Sequence, residues 1–170
     1  MDFISLTGYE LHREYLRTQK LKMSIFEKSY PELVGKSCRE ILKTSIKRSE
    51  REEAAALLAD IRAHEIYFDS FSSQNLRSQR IRQSYGSEAN FLYQLTCLAE
   101  KCSGFVFVIT DRRGVLNISV HNEPIAAFLS GCTPILAVDL CEHAYFLDYF
   151  YDKQSYLKAA ISHLDLNKLK

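Results

Sequence analysis

Helix-start signals crowd the first half of this chain, short β-rich apolar runs crowd the second, and that order limits the folds open to it. Thr7-x-x-Glu10, Ser37-x-x-Glu40 and Ser49-x-x-Glu52 each carry the capping-box pattern. In that pattern a hydroxyl accepts a backbone N–H three residues on, and the glutamate there reaches back to the first N–H. The first box predicts a helix over 7–29, stopped by Pro31, and the second a short helix over 37–44. The third opens a helix that runs to Phe71, with the mixed charges of 47–53 as its solvated start. Within it Leu57, Leu58, Ile61 and Phe68 fall partly on one face. The polar run 72–84, with Arg77, Arg80 and Arg82, reads as a surface connector, and a helix over 87–102 follows Gly86. The pattern then changes. Phe105-Val106-Phe107-Val108-Ile109 is a buried strand, Asp111-Arg112-Arg113-Gly114 a turn, and Leu116 to Val120 a strand with one wet face. Ile135 to Val138 is a third strand, and helices over 142–150 and 153–163 close the chain. The expectation is an α+β fold: an N-terminal helical hairpin domain (1–76), then a C-terminal α/β domain (84–170) with a three-stranded antiparallel sheet and covering helices.

Charge and composition narrow the partners. With 22 basic and 21 acidic residues the net charge is +1, so no overall field draws the chain to nucleic acid. No apolar run reaches the roughly 18 residues of a membrane span, and the first twenty residues carry charges throughout, unlike a signal peptide. Cys38, Cys97, Cys102, Cys132 and Cys141 are odd in number and scattered, which points to reduced thiols and a cytoplasmic setting.

The chemistry concentrates in Asp139-Leu140-Cys141-Glu142-His143-Ala144-Tyr145-Phe146-Leu147-Asp148-Tyr149. A carboxylate ending a strand, with an imidazole four residues on, can give one metal an O and an N ligand. The pair alone is common. The whole stretch, however, resembles the signature of the iron/manganese superoxide dismutases, Asp-Val-Trp-Glu-His-Ala-Tyr-Tyr-Leu-Asp-Tyr, with Cys141 in place of Trp and Phe146 in place of the second Tyr. Further matches run through most of the chain. Gly35-Lys36-Ser37 resembles the family's Gly-Lys-Ser, and Ala63-His64-Glu65-Ile66-Tyr67-Phe68 its Asn-His-Thr-Phe-Tyr-Trp. Ser84-Tyr85-Gly86-Ser87 resembles its Ser-Phe-Gly-Ser, and Cys102 to Phe107 its Gly-Ser-Gly-Trp-Thr-Trp.

The resemblance implies a mononuclear iron or manganese ion held by His12, His64, Asp139 and His143, three of the chain's five histidines being among them. A lone histidine is more often an ordinary surface or core residue; three on separate ligand positions are not explained that way. Superoxide is the implied substrate. The implied partner is a second copy, meeting through the Glu142 region, where the glutamate would orient the ligand histidine across a homodimer.

Around the ligands the match breaks down. The position of the amide that bonds metal-bound solvent falls on Asp60 or Glu123, and the substrate-gate tyrosine falls on Lys20. An ionised carboxylate accepts from bound water but cannot donate to bound hydroxide, and it repels an incoming anion. The gate histidine and its cross-subunit tyrosine fall on Leu16 and Phe146, so both ends of one hydrogen bond have become apolar together, which is nearly neutral where losing one end is not. Lys20, Glu123 and Cys141 are therefore the candidate residues outside the ligand set. Three readings follow: a dismutase with reduced activity, a non-enzymatic metal-binding homologue with a structural or assembly role, or a metalloenzyme that uses Cys141 or Lys20 for other chemistry.

Overall fold

The computed structural model describes residues 3–72 and 78–170; Arg77 and the end of the 1–76 segment lie outside the described residues. Helix α1 spans Leu6–Ser29 and α3 spans Arg48–Asp69, antiparallel arms linked by a 3-10 turn at Pro31–Leu33 and the short α2, Cys38–Ile41. Both halves of the Ser37 capping box are present. The other two boxes do not form. Ser5, not Thr7, caps α1, its Oγ accepting from Gly8 N at 3.0 Å. Ser49 lies inside the first turn of α3, which begins one residue earlier around an Arg48–Glu52 ion pair of 2.7 Å.

The connector 72–84 is only partly a connector, because α4 spans Gln79–Tyr85. It buries the single residue Ile81, so it shows no periodic face, and Gly86 ends it at φ 74°. After α5 (Glu88–Ala99, capped by Ser87) come β1 (Phe105–Thr110), β2 (Leu116–His121), a short α6 (Ile125–Leu129) absent from the sequence reading, and β3 (Thr133–Asp139). Helices α7 (Glu142–Tyr149) and α8 (Lys153–Ser162) and a final 3-10 turn at Leu166–Leu169 complete the chain. The fold is α+β, with the strands antiparallel in the order β2-β1-β3.

Register decides what the sheet presents to each layer. Phe105 pairs with Asp139 and Phe107 with Ala137; these residues share one face, which packs on Ala63 and Tyr67 of α3. Val106, Val108, Leu136 and Val138 point the other way, into a core with Phe91, Leu95 and Ala99 of α5 and Leu157 of α8. Ser70, just past α3, accepts the Ala137 N–H on its Oγ at 2.8 Å and fixes the arm to the strand. Gly104 brings the start of β1 so close to the carbonyls of His121 and Asn122 that a Cβ would overlap them. Together these contacts place the end of β3 against the middle of the helical arms.

Candidate metal centre

Each of the four candidate ligands comes from a different element or element end. On α1 the buried residues Gly8, His12, Leu16, Gln19 and Met23 recur every three or four residues and form the face toward the arm and sheet. His12 is 1% exposed. His64 is fully buried on α3, Asp139 ends β3, and His143 sits in the first turn of α7 with its side chain 32% exposed. One ligand atom from each lies within 4.8 Å of all the others.

The separations are those of donors around an ion. From Asp139 Oδ2 the Nε2 atoms of His12, His64 and His143 lie at 3.1, 3.3 and 3.0 Å, and the Nε2 atoms of His64 and His143 are 3.1 Å apart. Donors about 2.1 Å from one ion, at angles of about 90–109°, stand about 3.0–3.4 Å from each other. Two neutral imidazole nitrogens at 3.1 Å repel unless a proton or a cation lies between them. His12 makes the point most clearly. Its Nε2 is close to Asp139 but off the line of a hydrogen bond, so neither of its buried ring nitrogens has a partner among the described residues. Orphaned buried nitrogens of this kind call for an explanation, and an ion among the four donors supplies one. The residues present therefore fit a divalent iron or manganese ion, for which imidazole and carboxylate are suitable donors.

Surrounding groups fix the donors. The Nδ1 of His64 donates to the Asp60 carbonyl at 2.8 Å, which leaves its Nε2 lone pair facing the cluster. Asp139 accepts the Cys141 N–H on Oδ1 at 2.9 Å and the Tyr156 hydroxyl on its carbonyl at 2.7 Å, so Oδ2 alone faces the imidazoles. Burial pushes His12 below its ordinary value, against the pull of Asp139, and keeps it in the neutral, ligating form. Burial pushes His64 the same way, but Asp139 and Asp60 outweigh it and leave its value raised. Burial raises Asp139, and the three imidazoles more than reverse this, holding the carboxylate well below its usual range.

The other sequence candidates fare differently. Asp60 does reach the site: it accepts the Tyr15 hydroxyl at 3.2 Å and lies 3.4 Å from His64 Nδ1. Cys141 is the N-cap residue of α7 beside Asp139, and burial first and the nearby carboxylate second push its thiol far up. Lys20 is exposed and paired with Glu65 at 2.7 Å. Glu123 is exposed in the wall of a cleft of about 790 Å³ between α1, α3 and α6, whose wall also includes Tyr15, Gln19 and Asp60.

Tyr15 and Gln19 were missed by the sequence reading. Tyr15 stacks on His143 at 4.4 Å and 18°, and Gln19, only 7% exposed, lies beside Tyr15. At about 100° per residue, Gln19 returns to within about 20° of His12 on the helix, whereas Lys20 is turned about 80° away. The spacing His12, Tyr15, Gln19 was the available signal, outweighed by position-for-position matching to the family.

Residues 72–170 match the model of the iron/manganese superoxide dismutases, C-terminal domain, which is more than half of the chain. The chain belongs to this family. It is 34% identical over 89 residues to superoxide dismutase [Fe] 2, chloroplastic, of Oryza sativa subsp. japonica, covering 51% of this chain and 35% of that protein. With superoxide dismutase [Mn] 1 of Halobacterium salinarum it shares 32% over 90 residues, 52% of this chain and 44% of the relative. The match to superoxide dismutase [Fe] of Cupriavidus metallidurans is longer, 29% over 122 residues, 68% and 61%. This dismutase-family chain thus covers between 35% and 61% of the length of these relatives. Relatives named for iron and for manganese both occur, so family membership leaves the metal open between the two.

Proposed function

We propose that the protein converts superoxide to oxygen and hydrogen peroxide at one iron or manganese ion held by His12, His64, Asp139 and His143. The convergence of these four donors within 4.8 Å, from four separate elements, carries the reading. When bound, such an ion supplies one-electron exchange with superoxide: two superoxide anions and two protons give one oxygen and one peroxide. The protein's own part is positioning and proton supply. His64 is oriented by the Asp60 carbonyl, Asp139 by the Cys141 N–H, and His143 by the stacked Tyr15 ring. Tyr15, with its hydroxyl on Asp60 and Gln19 beside it, forms the boundary between the cleft and the donors.

The cleft also supports a reduced rate. Glu50, Glu53, Asp60 and Glu123 contribute to its wall against Lys22, so an incoming anion meets net negative charge. Changed groups around a metal typically cost about 10–100-fold, and Glu123→Gln, which removes one of these charges, raises turnover. Lys20, paired with Glu65 outside this cleft, and Cys141 are assigned no step.

A two-fold homodimer belongs to the same proposal. Phe146, Leu147, Phe150 and Tyr151 are exposed together beside Glu142 and the open edge of His143, and an apolar patch with a polar rim marks an association surface. Glu142 then reaches the partner subunit's His143. The division into a hairpin domain (1–76) and an α/β domain (84–170) is likewise part of the proposal, supported by separate apolar clusters in the helical arms and around the sheet. Five free thiols fit a reducing compartment such as the cytoplasm.

The experiment is superoxide consumption by protein loaded with iron or with manganese, against His64→Ala treated identically. One loading should give activity above free metal, and the variant should lose both activity and stoichiometric metal. Metal-loaded protein without activity would leave a non-enzymatic metal-binding homologue; metal retained by His64→Ala would remove the ligand assignment.

A further inference from the structure

Ten tyrosines and no tryptophan occur in the chain, and four of the tyrosines stand in one contiguous group rooted at the candidate centre. Tyr67 lies against His12, ring centroids 4.8 Å apart. Its hydroxyl is 3.3 Å from that of Tyr156, which in turn donates to the Asp139 carbonyl. Tyr145 stacks on Tyr156 at 5.1 Å and 23°, and Tyr149 meets it edge-on at 5.6 Å. Tyr67 and Tyr156 are fully buried, Tyr145 on the inner side of α7 is still 9% exposed, and Tyr149 one turn on is half-buried. The proposed reaction uses none of the four.

We propose that Tyr67, Tyr156 and the pair Tyr145/Tyr149 form a relay that carries oxidising equivalents from the centre outward, with hydrogen peroxide as the oxidant. The inference rests on the reading of His12, His64, Asp139 and His143 as a redox-metal site, since that reaction makes peroxide beside them. One peroxide takes up two electrons and two protons and its O–O bond breaks to give two waters. Two tyrosines each release one electron and their phenolic proton and become neutral phenoxyl radicals, so atoms and charge balance. Every step runs between groups in contact: His12 to Tyr67 by ring contact, Tyr67 to Tyr156 through their hydroxyls, Tyr156 to Tyr145 through a stacked pair. Without the relay, the oxidisable rings nearest the site are its own imidazoles and Tyr15, which stacks on His143.

The test treats metal-loaded protein with equimolar hydrogen peroxide, reads radicals by electron paramagnetic resonance with and without ring-deuterated tyrosine, and locates oxidised residues by peptide mass spectrometry. A tyrosyl signal that narrows on deuteration is expected, with oxidation at Tyr145 and Tyr149. In Tyr156→Phe the far-end oxidation should be lost and ring oxidation of His12 and His64 should appear. Tyr145→Phe, which touches no ligand, should move the end point to Tyr149 and so guards against misfolding of the first variant. Absence of a tyrosyl signal in protein that holds metal and consumes superoxide overturns the relay and leaves the dismutase reading standing. The same oxidation pattern in metal-free protein, or in Tyr156→Phe, also overturns it. Protein that holds no metal defeats both.

Discussion

Replacing His12 by leucine separates the demands of the fold from the demands of the site. Both ring nitrogens of His12 are buried without a hydrogen-bond partner among the described residues. Leaving such a group unsatisfied costs about 1–3 kcal/mol. Leucine has a similar size and meets the aromatic walls of Tyr67 and Phe68, whose centroids lie 4.8 and 4.9 Å from that of His12. An imperfect fit returns up to about 1.5 kcal/mol of destabilisation, so the metal-free variant should lie between about 0.5 kcal/mol less stable and about 3 kcal/mol more stable than metal-free wild type. His143→Leu is the control. It removes a real hydrogen bond to the buried Asp139 carboxylate, 3.0 Å long, from a side chain open to solvent. That variant should lose roughly 1–2 kcal/mol after allowance for solvent. Urea denaturation of chelator-treated protein measures both, and metal analysis should show stoichiometric binding lost in both. If His12→Leu destabilises the metal-free protein by more than about 2 kcal/mol, or still holds one metal per chain, His12 is a structural residue and the argument fails.

Gly104→Ala should destabilise by at least about 2 kcal/mol in the same assay, because its Cβ would overlap backbone carbonyls that cannot swing aside. Asp111 in the β1–β2 turn is held below its ordinary value by the N–H groups of Val115 and Arg113. A depressed folded value gives stability that is full above about pH 3.9 and is lost as pH falls through the lowered value. Asp111→Asn should flatten that part of the stability–pH curve, and an unchanged curve would contradict the assignment. Phe150 stands at φ 50° and ψ −121°, a region costly for any side chain. Phe150→Gly should gain about 1 kcal/mol in monomer stability while weakening self-association in sedimentation; unchanged association would remove Phe150 from the dimer surface.

The four candidate donors could be picked out of the sequence by resemblance: family motifs surround His64 and the Asp139–His143 pair, the family's spacing from Gly35 points to His12, and the strand before Asp139 is a plain apolar run. What surrounds the donors was less legible. Matching position for position selected Lys20, but α1 places Gln19 and Tyr15 toward the site, and rotation about the helix decides which residue faces inward. Capping boxes failed where tertiary partners set the helix start: Ser5 is also held by its N–H on Asp148, 3.2 Å away, a contact no local pattern contains. Helices α4 and α6 were missed because each buries one residue, Ile81 and Ala127, and so has no periodic face to read.

X-ray absorption at the metal edge of loaded protein tests the central claim most directly. Four protein donors of the kind found here require a first shell of nitrogen and oxygen only, with the outer-ring scattering of three imidazoles, at bond lengths of about 2.1 Å. A sulfur scatterer at about 2.3 Å would bring Cys141 into the ligand set and contradict the account, as would a shell without imidazole.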